Sequence, residues 1–357
     1  MFLRSFVLVD LKAIENNYKI IRSMRGVKEV IAVVKADAYG HGARAVSERL
    51  YKSGCRRFAV ATAEEGIELR KCGIGGEIIV LGYTPPEEEK TLVRFDLTQT
   101  LVSREHAEGF CDKDLKVQIA IDTGMKRIGF DPSDKEKTVS DICRIAEKLE
   151  LTGIYSHFCA ADDKSEDDFS KRQADELDEI FYAIKERCGN VYAHISNSAG
   201  ALRFGGGTVR AGNMLYGLSP FDGADMPIGI KAALKWKSVI CRVEKCLKGE
   251  SVGYGRRYIA DKDTLVATVC TGYADGYPRA AANNGSVLVR GKRARIIGNI
   301  CMDCFMIDVG EISGVKAGDE VTLIGGGITA EEIAKRLSTI NYEIVSRIGA
   351  RVGRKYC

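Results

Sequence analysis

Residues 30–42 read Val-Ile-Ala-Val-Val-Lys-Ala-Asp-Ala-Tyr-Gly-His-Gly, an apolar run that ends at Lys35 and continues into a polar turn with two glycines. A run of β-branched and small apolar residues is typical of a strand buried on both faces, as in parallel sheets. A lysine at the end of such a strand lies in a low-dielectric environment, which disfavours the ammonium form and lowers its pKa. The free amine is the form that attacks a carbonyl carbon, so Lys35 is a candidate for an imine-forming lysine. The alternative is an ordinary lysine whose head group reaches solvent at the strand end.

Eight such apolar runs precede residue 212, and helix-like patterns lie between most of them. Strands that alternate with helices indicate parallel βα units, and eight units predict an α/β fold of the (β/α)₈ barrel type. The carboxyl ends of barrel strands meet on one face, where active sites of this fold lie. The runs lie near 30–34, 57–61, 77–81, 98–102, 117–121, 151–155, 191–195 and 207–210, and the polar residues at their ends are Lys35, Thr62, Asp122, His157, His194 and Arg210.

From about residue 230 the pattern changes to short segments that alternate apolar and polar residues between glycine-bearing turns. This pattern predicts a mostly antiparallel β domain. One helix interrupts it, and residues 329–332 have the Thr-x-x-Glu spacing of a capping box, as do residues 62–65 earlier in the chain. We therefore expect a barrel domain over residues 1–230, with residues 1–10 also able to join the second domain, and a β domain over residues 231–357.

Composition excludes several function classes. The 53 Lys and Arg residues and the 49 Asp and Glu residues give a net charge of +4 and are interspersed, so no basic stripe suggests nucleic-acid binding. No apolar run approaches the ~20 residues of a membrane span, and the first ten residues do not form a signal peptide. The 12 cysteines are scattered, and the Cys301–Cys304 pair lacks the second pair of a zinc site. We expect reduced thiols, no bound metal and a cytoplasmic location.

The stretch around Lys35 resembles the lysine motif of the alanine racemase family, and the resemblance extends over residues 5–354. It implies pyridoxal phosphate (PLP) as cofactor, held by Lys35, and a small amino acid as substrate, most of all alanine. Interconversion of enantiomers needs a base on each face of the α-carbon. The segment Gly249-Glu-Ser-Val-Gly-Tyr254-Gly resembles the family motif that carries the second base. The resemblance thus implies Lys35 and Tyr254 as the catalytic residues, in a homodimer whose subunits share their active sites.

Three further segments resemble family motifs that bind the cofactor. By this resemblance, His157 hydrogen-bonds the catalytic tyrosine, His194 supports the following arginine, and Arg210 donates to the pyridine nitrogen. Because a guanidinium does not release its proton, that nitrogen would stay unprotonated, which disfavours transamination and decarboxylation. The phosphate would be bound by hydrogen bonds. The cofactor-binding residues that the resemblance implies are Lys35, Tyr39, His157, His194, Asn197, Ser198, Arg210, Gly212 and Asn213.

The substrate-binding residues are also implied by the resemblance. Residues 121–129 match the segment whose arginine, here Arg127, engages the substrate carboxylate, and Met302 lies near that carboxylate in the family. A narrow entrance is expected from the partner subunit. Its residues are Tyr273, Arg279 and Asp303.

Three positions depart from the family pattern. Ala120 stands where many members carry a carbamylated lysine that holds the substrate arginine, so another group must steady Arg127. Ala350 replaces a common tyrosine or proline, and Asn213 replaces a common isoleucine. These changes open volume near the substrate, so we hypothesise a looser specificity. A serine or broader-specificity amino-acid racemase is the alternative to an alanine racemase.

Two other classes of protein use a similar barrel. A PLP-dependent amino-acid decarboxylase would need an acidic partner for the ring nitrogen, where this chain has Arg210, and a Gly-Glu-Pro-Gly-Arg-like segment, which is absent. A non-catalytic PLP carrier usually consists of the barrel alone. The second domain with Tyr254 argues against that class.

Overall fold

The computed structural model describes residues 4–221 and 229–357 of the 357-residue chain. The chain divides into two compact units, and each is built from segments that are distant in sequence. Unit 1 comprises residues 1–13, 39–42 and 231–357, and unit 2 comprises residues 14–38 and 43–230.

Eight parallel strands form the sheet of unit 2. The first seven strands pair in sequence order, and the eighth, Gly207–Ala211, pairs with the first, Val27–Val33. The Arg210 N–H donates to the Ser196 carbonyl (2.9 Å), which links the last strand to the segment after Tyr192–His194. The predicted (β/α)₈ architecture is confirmed, and each strand overlaps a predicted run. The strands are Val27–Val33, Arg57–Val60, Glu77–Val80, Thr98–Leu101, Lys116–Ala120, Glu150–Tyr155, Tyr192–His194 and Gly207–Ala211.

Helices connect these strands, and several of them begin at a side-chain cap. The Thr62 Oγ1 accepts from the Glu65 N–H (3.4 Å), as the capping-box spacing predicts. The Glu65 carboxylate accepts from the backbone of Ala36 and Ala61, so this side chain links two strand ends. The helices are Leu11–Ser23, Ala43–Lys52, Ala63–Lys71, Glu89–Arg94, Arg104–Glu108, Lys135–Ala146, Asp167–Cys188 and Ser198–Arg203, with 3₁₀ turns at Pro86–Glu88, Lys164–Glu166 and Asn213–Tyr216.

Unit 1 contains a second eight-stranded sheet, which is antiparallel except for the parallel pair Ser5–Val9 and Gly353–Tyr356. The long strand Leu234–Cys246 closes the sheet because two register shifts let it pair with three other strands. The predicted mostly antiparallel β domain is confirmed. The remaining strands are Thr264–Val269, Ser286–Val289, Lys292–Ile297, Phe305–Asp308 and Glu320–Ile324, with a small hairpin of Ser251–Val252 and Tyr258–Ile259 and helices Ala330–Arg336 and Asn341–Ser346.

Aromatic side chains fill the core of unit 1. Trp236 is fully buried, packs edge-on against Tyr277, and donates from Nε1 to the Ser5 Oγ (2.8 Å). Tyr277 stacks on Phe305. The N-terminal strand is therefore tied to the core by both backbone pairing and a buried hydrogen bond. Among residues 4–221 and 229–357, no helix has the length and apolar character needed to cross a membrane.

Candidate active site

Lys35 lies two residues after the end of the first barrel strand, Val27–Val33, and is partly buried. Burial lowers the pKa of its ammonium group, because the charged form loses its hydration. The positive charges of Arg127 and Arg210 lower this pKa further, whereas the Glu65 carboxylate raises it. The sequence-based expectation of a depressed lysine pKa thus agrees with the structure. Two arginines that lie far apart in sequence add to the effect.

The turn after Lys35 is left-handed. Four consecutive non-glycine residues, 36–39, have φ values of 52° to 54°. This conformation costs about 1–2 kcal/mol per L-residue, so the turn stores roughly 4–8 kcal/mol that its surroundings must offset. Two carboxylates support it: Glu65 accepts from the Ala36 N–H (2.7 Å), and Asp37 accepts from the Ala43 N–H (2.8 Å).

Arg210 lies at the end of the last barrel strand and is almost completely buried. Its Nη1 donates to the Nδ1 of His194, and its Nη2 donates to the His157 Nδ1 and the Ser156 carbonyl, both at 2.8 Å. Its Nε–H has no hydrogen-bond partner among the residues that the structure describes. The guanidinium lies over the ring of Tyr155 at 5.0 Å. Burial lowers the pKa of Arg210 to about 10, so it remains a cation at neutral pH.

Both active-site histidines are held in the neutral form. Burial is the main reason why the pKa values of His157 and His194 lie well below the usual range, and the neighbouring charge of Arg210 adds to the effect. Since an arginine can only donate, both Nδ1 atoms must accept, and each imidazole proton resides on Nε2. Lys35 and Arg127 also lower the pKa of His157. His157 is therefore close enough to feel the charges of Lys35, Arg127 and Arg210.

A chain of hydrogen bonds continues from His194 through the barrel interior. Its Nε2 donates to the Gln118 Oε1 (2.8 Å), and the Gln118 Nε2 donates to Glu77 (3.0 Å). Donors from Arg57, Thr152 and Tyr192 complete the surroundings of the Glu77 carboxylate. We call Glu77, Gln118, His194 and Arg210 the barrel-core relay. At one end of the relay the Glu77 carboxylate accepts hydrogen bonds, and at the other end the Arg210 guanidinium donates them.

Arg127 is exposed and forms no hydrogen bond or ion pair with the described residues. Its loop is shaped by the Asp122 Oδ1, which accepts from the N–H groups of Gly124 (3.0 Å) and Lys126 (2.9 Å). Ala120, which stands where the family often has a lysine, is buried and offers only a methyl group. Arg127 is therefore a cation available to an external anion.

The residues expected to bind a phosphate lie at short helices. Asn197 caps the helix Ser198–Arg203 by accepting from the Gly200 N–H (2.9 Å), and the Ser198 Oγ accepts from the Met214 N–H (3.4 Å). Gly212 and Asn213 form the start of the adjacent 3₁₀ turn, whose N-cap residue, Gly212, supplies no side-chain cap.

Tyr39, the remaining expected phosphate ligand, belongs to unit 1, where burial raises its pKa to about 12. Its phenol therefore stays protonated at neutral pH and can donate a hydrogen bond.

The other expected residues also lie in unit 1. Tyr254 follows Ser251–Val252, is 75% exposed, and lines a cavity of about 910 Å³. The Tyr273 N–H donates to the Cys301 carbonyl (3.0 Å), which brings the segments of Tyr273 and Met302 together. Tyr273 and Met302 are exposed, as is Arg279.

A buried carboxylate that sequence reasoning missed organises this face. Asp275 is fully buried, accepts hydrogen bonds from Arg4 (2.6 Å) and the Gly272 N–H (2.9 Å), and forms an ion pair with Arg351 (3.0 Å). Arg351 also pairs with Asp303, one of the expected entrance residues. Residues 271–279 and 299–303 resemble two separate family motifs. Neither motif indicates that Arg351 joins Asp275 of the first to Asp303 of the second.

The groups of unit 2 fit the PLP that the resemblance implies. Lys35 offers an amine of lowered pKa for an aldehyde, and the Nε–H of Arg210 offers an unsatisfied donor for a ring nitrogen. Ser198 offers a hydroxyl for a phosphate. In the described part of the chain, no cluster of three or more His, Cys, Asp or Glu side chains is placed to hold a metal ion.

Comparison with known proteins shows the family of the chain. Residues 9–220 match the family model "Alanine racemase, N-terminal domain", and residues 233–356 match "Alanine racemase, C-terminal domain". The chain is 40% identical to the alanine racemase of Carboxydothermus hydrogenoformans, over 98% of each chain, and 38% identical to that of Clostridium novyi, over 98% of this chain and 94% of the relative.

Solved structures show the same relationship. The alanine racemase of Clostridium difficile 630 superimposes with a TM-score of 0.92 at 34% identity, covering 100% of this chain and 96% of that one. The alanine racemase of Bartonella henselae, described with covalently bound pyridoxal phosphate, gives a TM-score of 0.88 at 28% identity, with 100% of both chains covered.

Proposed function

The chain belongs to the alanine racemase family, and we propose that it interconverts L-alanine and D-alanine with Lys35 and Tyr254 as bases on opposite faces of the α-carbon. The family is PLP-dependent. When bound, PLP delocalises the electron pair left by removal of the α-proton. The observation that carries the proposal is the pairing, in one barrel, of a desolvated Lys35 with a buried Arg210 that has one unsatisfied donor.

Lys35 supports two roles in this proposal. Its lowered pKa keeps a free amine available to hold the cofactor, and the same amine accepts or returns the α-proton on its own face. Arg127 would engage the substrate carboxylate, because its charge is not neutralised by a protein carboxylate in the described residues. Met302 would lie near the same carboxylate, as the family pattern implies.

Arg210 would determine which reaction follows proton removal. It stays charged, and its Nη1 and Nη2 are held by five protein acceptors, so the guanidinium can neither rotate nor donate a proton fully to the ring nitrogen. An unprotonated ring nitrogen is a weaker electron sink. This favours return of the proton over transamination or decarboxylation.

A coupled racemisation assay with L-alanine, L-serine and L-lysine tests this function. We expect conversion of L-alanine into D-alanine and of D-alanine into L-alanine, and no release of carbon dioxide from L-lysine. The alanine side chains at 120 and 350 leave room, so measurable turnover of L-serine would support the broader-specificity alternative. Absence of racemisation with every amino acid of the panel would refute the proposal.

We further propose a homodimer in which each active site combines Lys35 of one subunit with Tyr254 of the other. The exposure of Tyr254, Tyr273 and Met302 supports this, because large apolar side chains clustered at a surface commonly mark an interface. The residues of the proposed site also come from both compact units of the chain. Lys35, Arg127 and Arg210 belong to unit 2, whereas Tyr254 and Met302 belong to unit 1.

Mixing two inactive variants tests the shared site. Lys35→Ala and Tyr254→Phe homodimers should each be inactive, whereas subunit exchange creates heterodimers with one intact site. At equal concentrations, random exchange restores about a quarter of the wild-type sites, because half of the dimers are mixed and each has one intact site. Activity that stays at the level of the separate variants, with exchange shown by mass spectrometry, would place both bases in one subunit.

A further inference from the structure

We propose that Glu65 is a positioning residue that presents Lys35 to the active site by holding the left-handed turn behind it and by opposing the arginine charges around its amine. The proposal rests on the proposed role of Lys35 and goes beyond it. Glu65 lies in the first turn of the helix Ala63–Lys71, on the next βα unit of the barrel, and belongs to no motif that the sequence analysis assigned to the site.

The Glu65 carboxylate binds two segments of the backbone at once. One oxygen of the Glu65 carboxylate accepts from the Ala36 N–H and the other accepts from the Ala61 N–H, both at 2.7 Å. Ala36 is the first left-handed residue after Lys35, and Ala61 follows the neighbouring strand Arg57–Val60. A single side chain therefore fastens the ends of two adjacent strands and fixes the point at which the lysine leaves the sheet.

The left-handed turn of residues 36–39 needs stabilising contacts of this kind. Residues 36–39 all adopt a conformation that L-residues avoid, and none of them is a glycine. A run of this kind persists only where surrounding contacts over-determine it. Asp37, which accepts from the Ala43 N–H, supports the far side of the turn, and Glu65 supports the side next to Lys35.

Charges of both signs act on the Lys35 amine. Arg127 and Arg210 both disfavour a protonated Lys35, and Glu65 is the carboxylate whose charge acts in the opposite direction. Each base of a racemase must both accept and return a proton, so an amine that could never be protonated would serve only one direction. The charge of Glu65 stabilises the protonated form of Lys35, whereas the charges of the two arginines stabilise its free amine.

Three substitutions separate the two effects. Glu65→Gln removes the charge and replaces one acceptor oxygen with an NH₂ group, so one of the two backbone bonds is lost. Glu65→Asp keeps the charge but shortens the side chain by one methylene. Glu64→Gln is the matched control. Glu64 is the exposed neighbour of Glu65 in the helix, and its substitution removes an equal charge without removing a hydrogen bond to residues 36–39.

Hydrogen exchange measured by mass spectrometry on the full-length protein reports the geometry without any need for turnover. For peptides that contain residues 35–38, we expect exchange about 10- to 150-fold faster in Glu65→Gln, the range that corresponds to loss of one hydrogen bond to a charged group. Glu65→Asp should show faster exchange as well, and Glu64→Gln should match the wild type.

The pH dependence of cofactor capture reports the charge. The full-length protein freed of PLP takes the cofactor back at a rate that follows the deprotonated fraction of Lys35. The midpoint should move to lower pH in Glu65→Gln, because a charge that raises the lysine pKa is gone, and should stay near the wild type in Glu65→Asp and Glu64→Gln.

Unchanged exchange in Glu65→Gln would overturn the proposal, and so would an unchanged midpoint, since the residue would then be only structural. Both measurements are compared with folded Glu64→Gln protein, and Glu65→Asp supplies a second test if Glu65→Gln does not fold. If the wild-type chain captured PLP at a lysine other than Lys35, the proposed function would fail, whereas the exchange data would still report whether Glu65 holds the turn.

Discussion

Replacing Gln118 with leucine interrupts the barrel-core relay at its centre. Gln118 is fully buried, accepts from the Nε2–H of His194, and donates to Glu77. Leucine has a similar volume and neither donor nor acceptor. The imidazole Nε2–H then faces an apolar group, and the Nδ1 that accepts from Arg210 loses the support that its own donor bond provided.

The magnitude follows from burial. A buried donor left without an acceptor costs about 1–3 kcal/mol, and His194 is 3% exposed, so water cannot replace the lost bond. We expect the free energy of unfolding to fall by about this amount. Since about 1.4 kcal/mol corresponds to a factor of ten in rate, the same loss expressed at Arg210 lowers kcat by about 5- to 150-fold.

A matched substitution on the neighbouring strand provides the control. Gln99 is equally buried, and its amide donates to the carbonyls of Gly82 (2.8 Å) and Thr100 (2.6 Å), neither of which belongs to the relay. Gln99→Leu should therefore lose a similar free energy of unfolding, measured by urea denaturation and far-UV circular dichroism, and keep its kcat. If kcat of Gln118→Leu equalled that of Gln99→Leu, the relay would have no part in positioning Arg210.

Three further predictions address the base, the specificity and the pH dependence. Tyr254→Phe should keep bound PLP but lose about 10²–10⁴-fold of racemisation in both directions, because each direction uses both bases, and racemisation at the wild-type rate would remove this phenol from the mechanism. Ala350→Tyr should fill volume and reduce kcat/KM for L-serine relative to L-alanine by about tenfold; an unchanged ratio would show that this position does not determine specificity. Because His157 and His194 are neutral in the folded chain, with pKa values below that of the unfolded state, stability is retained above pH 6.5 and falls below it, by up to about 2 kcal/mol per histidine at pH 5. In His157→Gln, denaturation between pH 5 and 7 should show a shallower loss, and the wild-type slope would contradict this assignment.

Much of the barrel was predictable because its signals are local. A strand buried on both faces must be a short apolar run, and each of the eight runs overlaps an observed strand. The alternating segments of the second domain indicated its antiparallel sheet. The strands Ser5–Val9 and Gly353–Tyr356 were not identified, because they pair with each other from opposite ends of the chain and neither has a clear alternation of its own.

The interactions that support the expected residues were less predictable. The residues 62–65 predicted a capping box, and Thr62 does cap the helix, but Glu65 reaches to another strand. Glu77 and Gln118 occur in ordinary strand sequences, and only the barrel brings them to His194. A left-handed run of four non-glycine residues has no sequence signal, since the residues themselves disfavour it.

The covalent attachment of PLP to Lys35 is the central claim, and borohydride reduction of the holoenzyme followed by proteolysis and mass spectrometry tests it most directly. We predict that the mass of the reduced cofactor is found on the peptide that contains Lys35, and that a Lys35→Ala protein carries none. A holoenzyme that is labelled at a different lysine, with Lys35 recovered unmodified, would contradict the account.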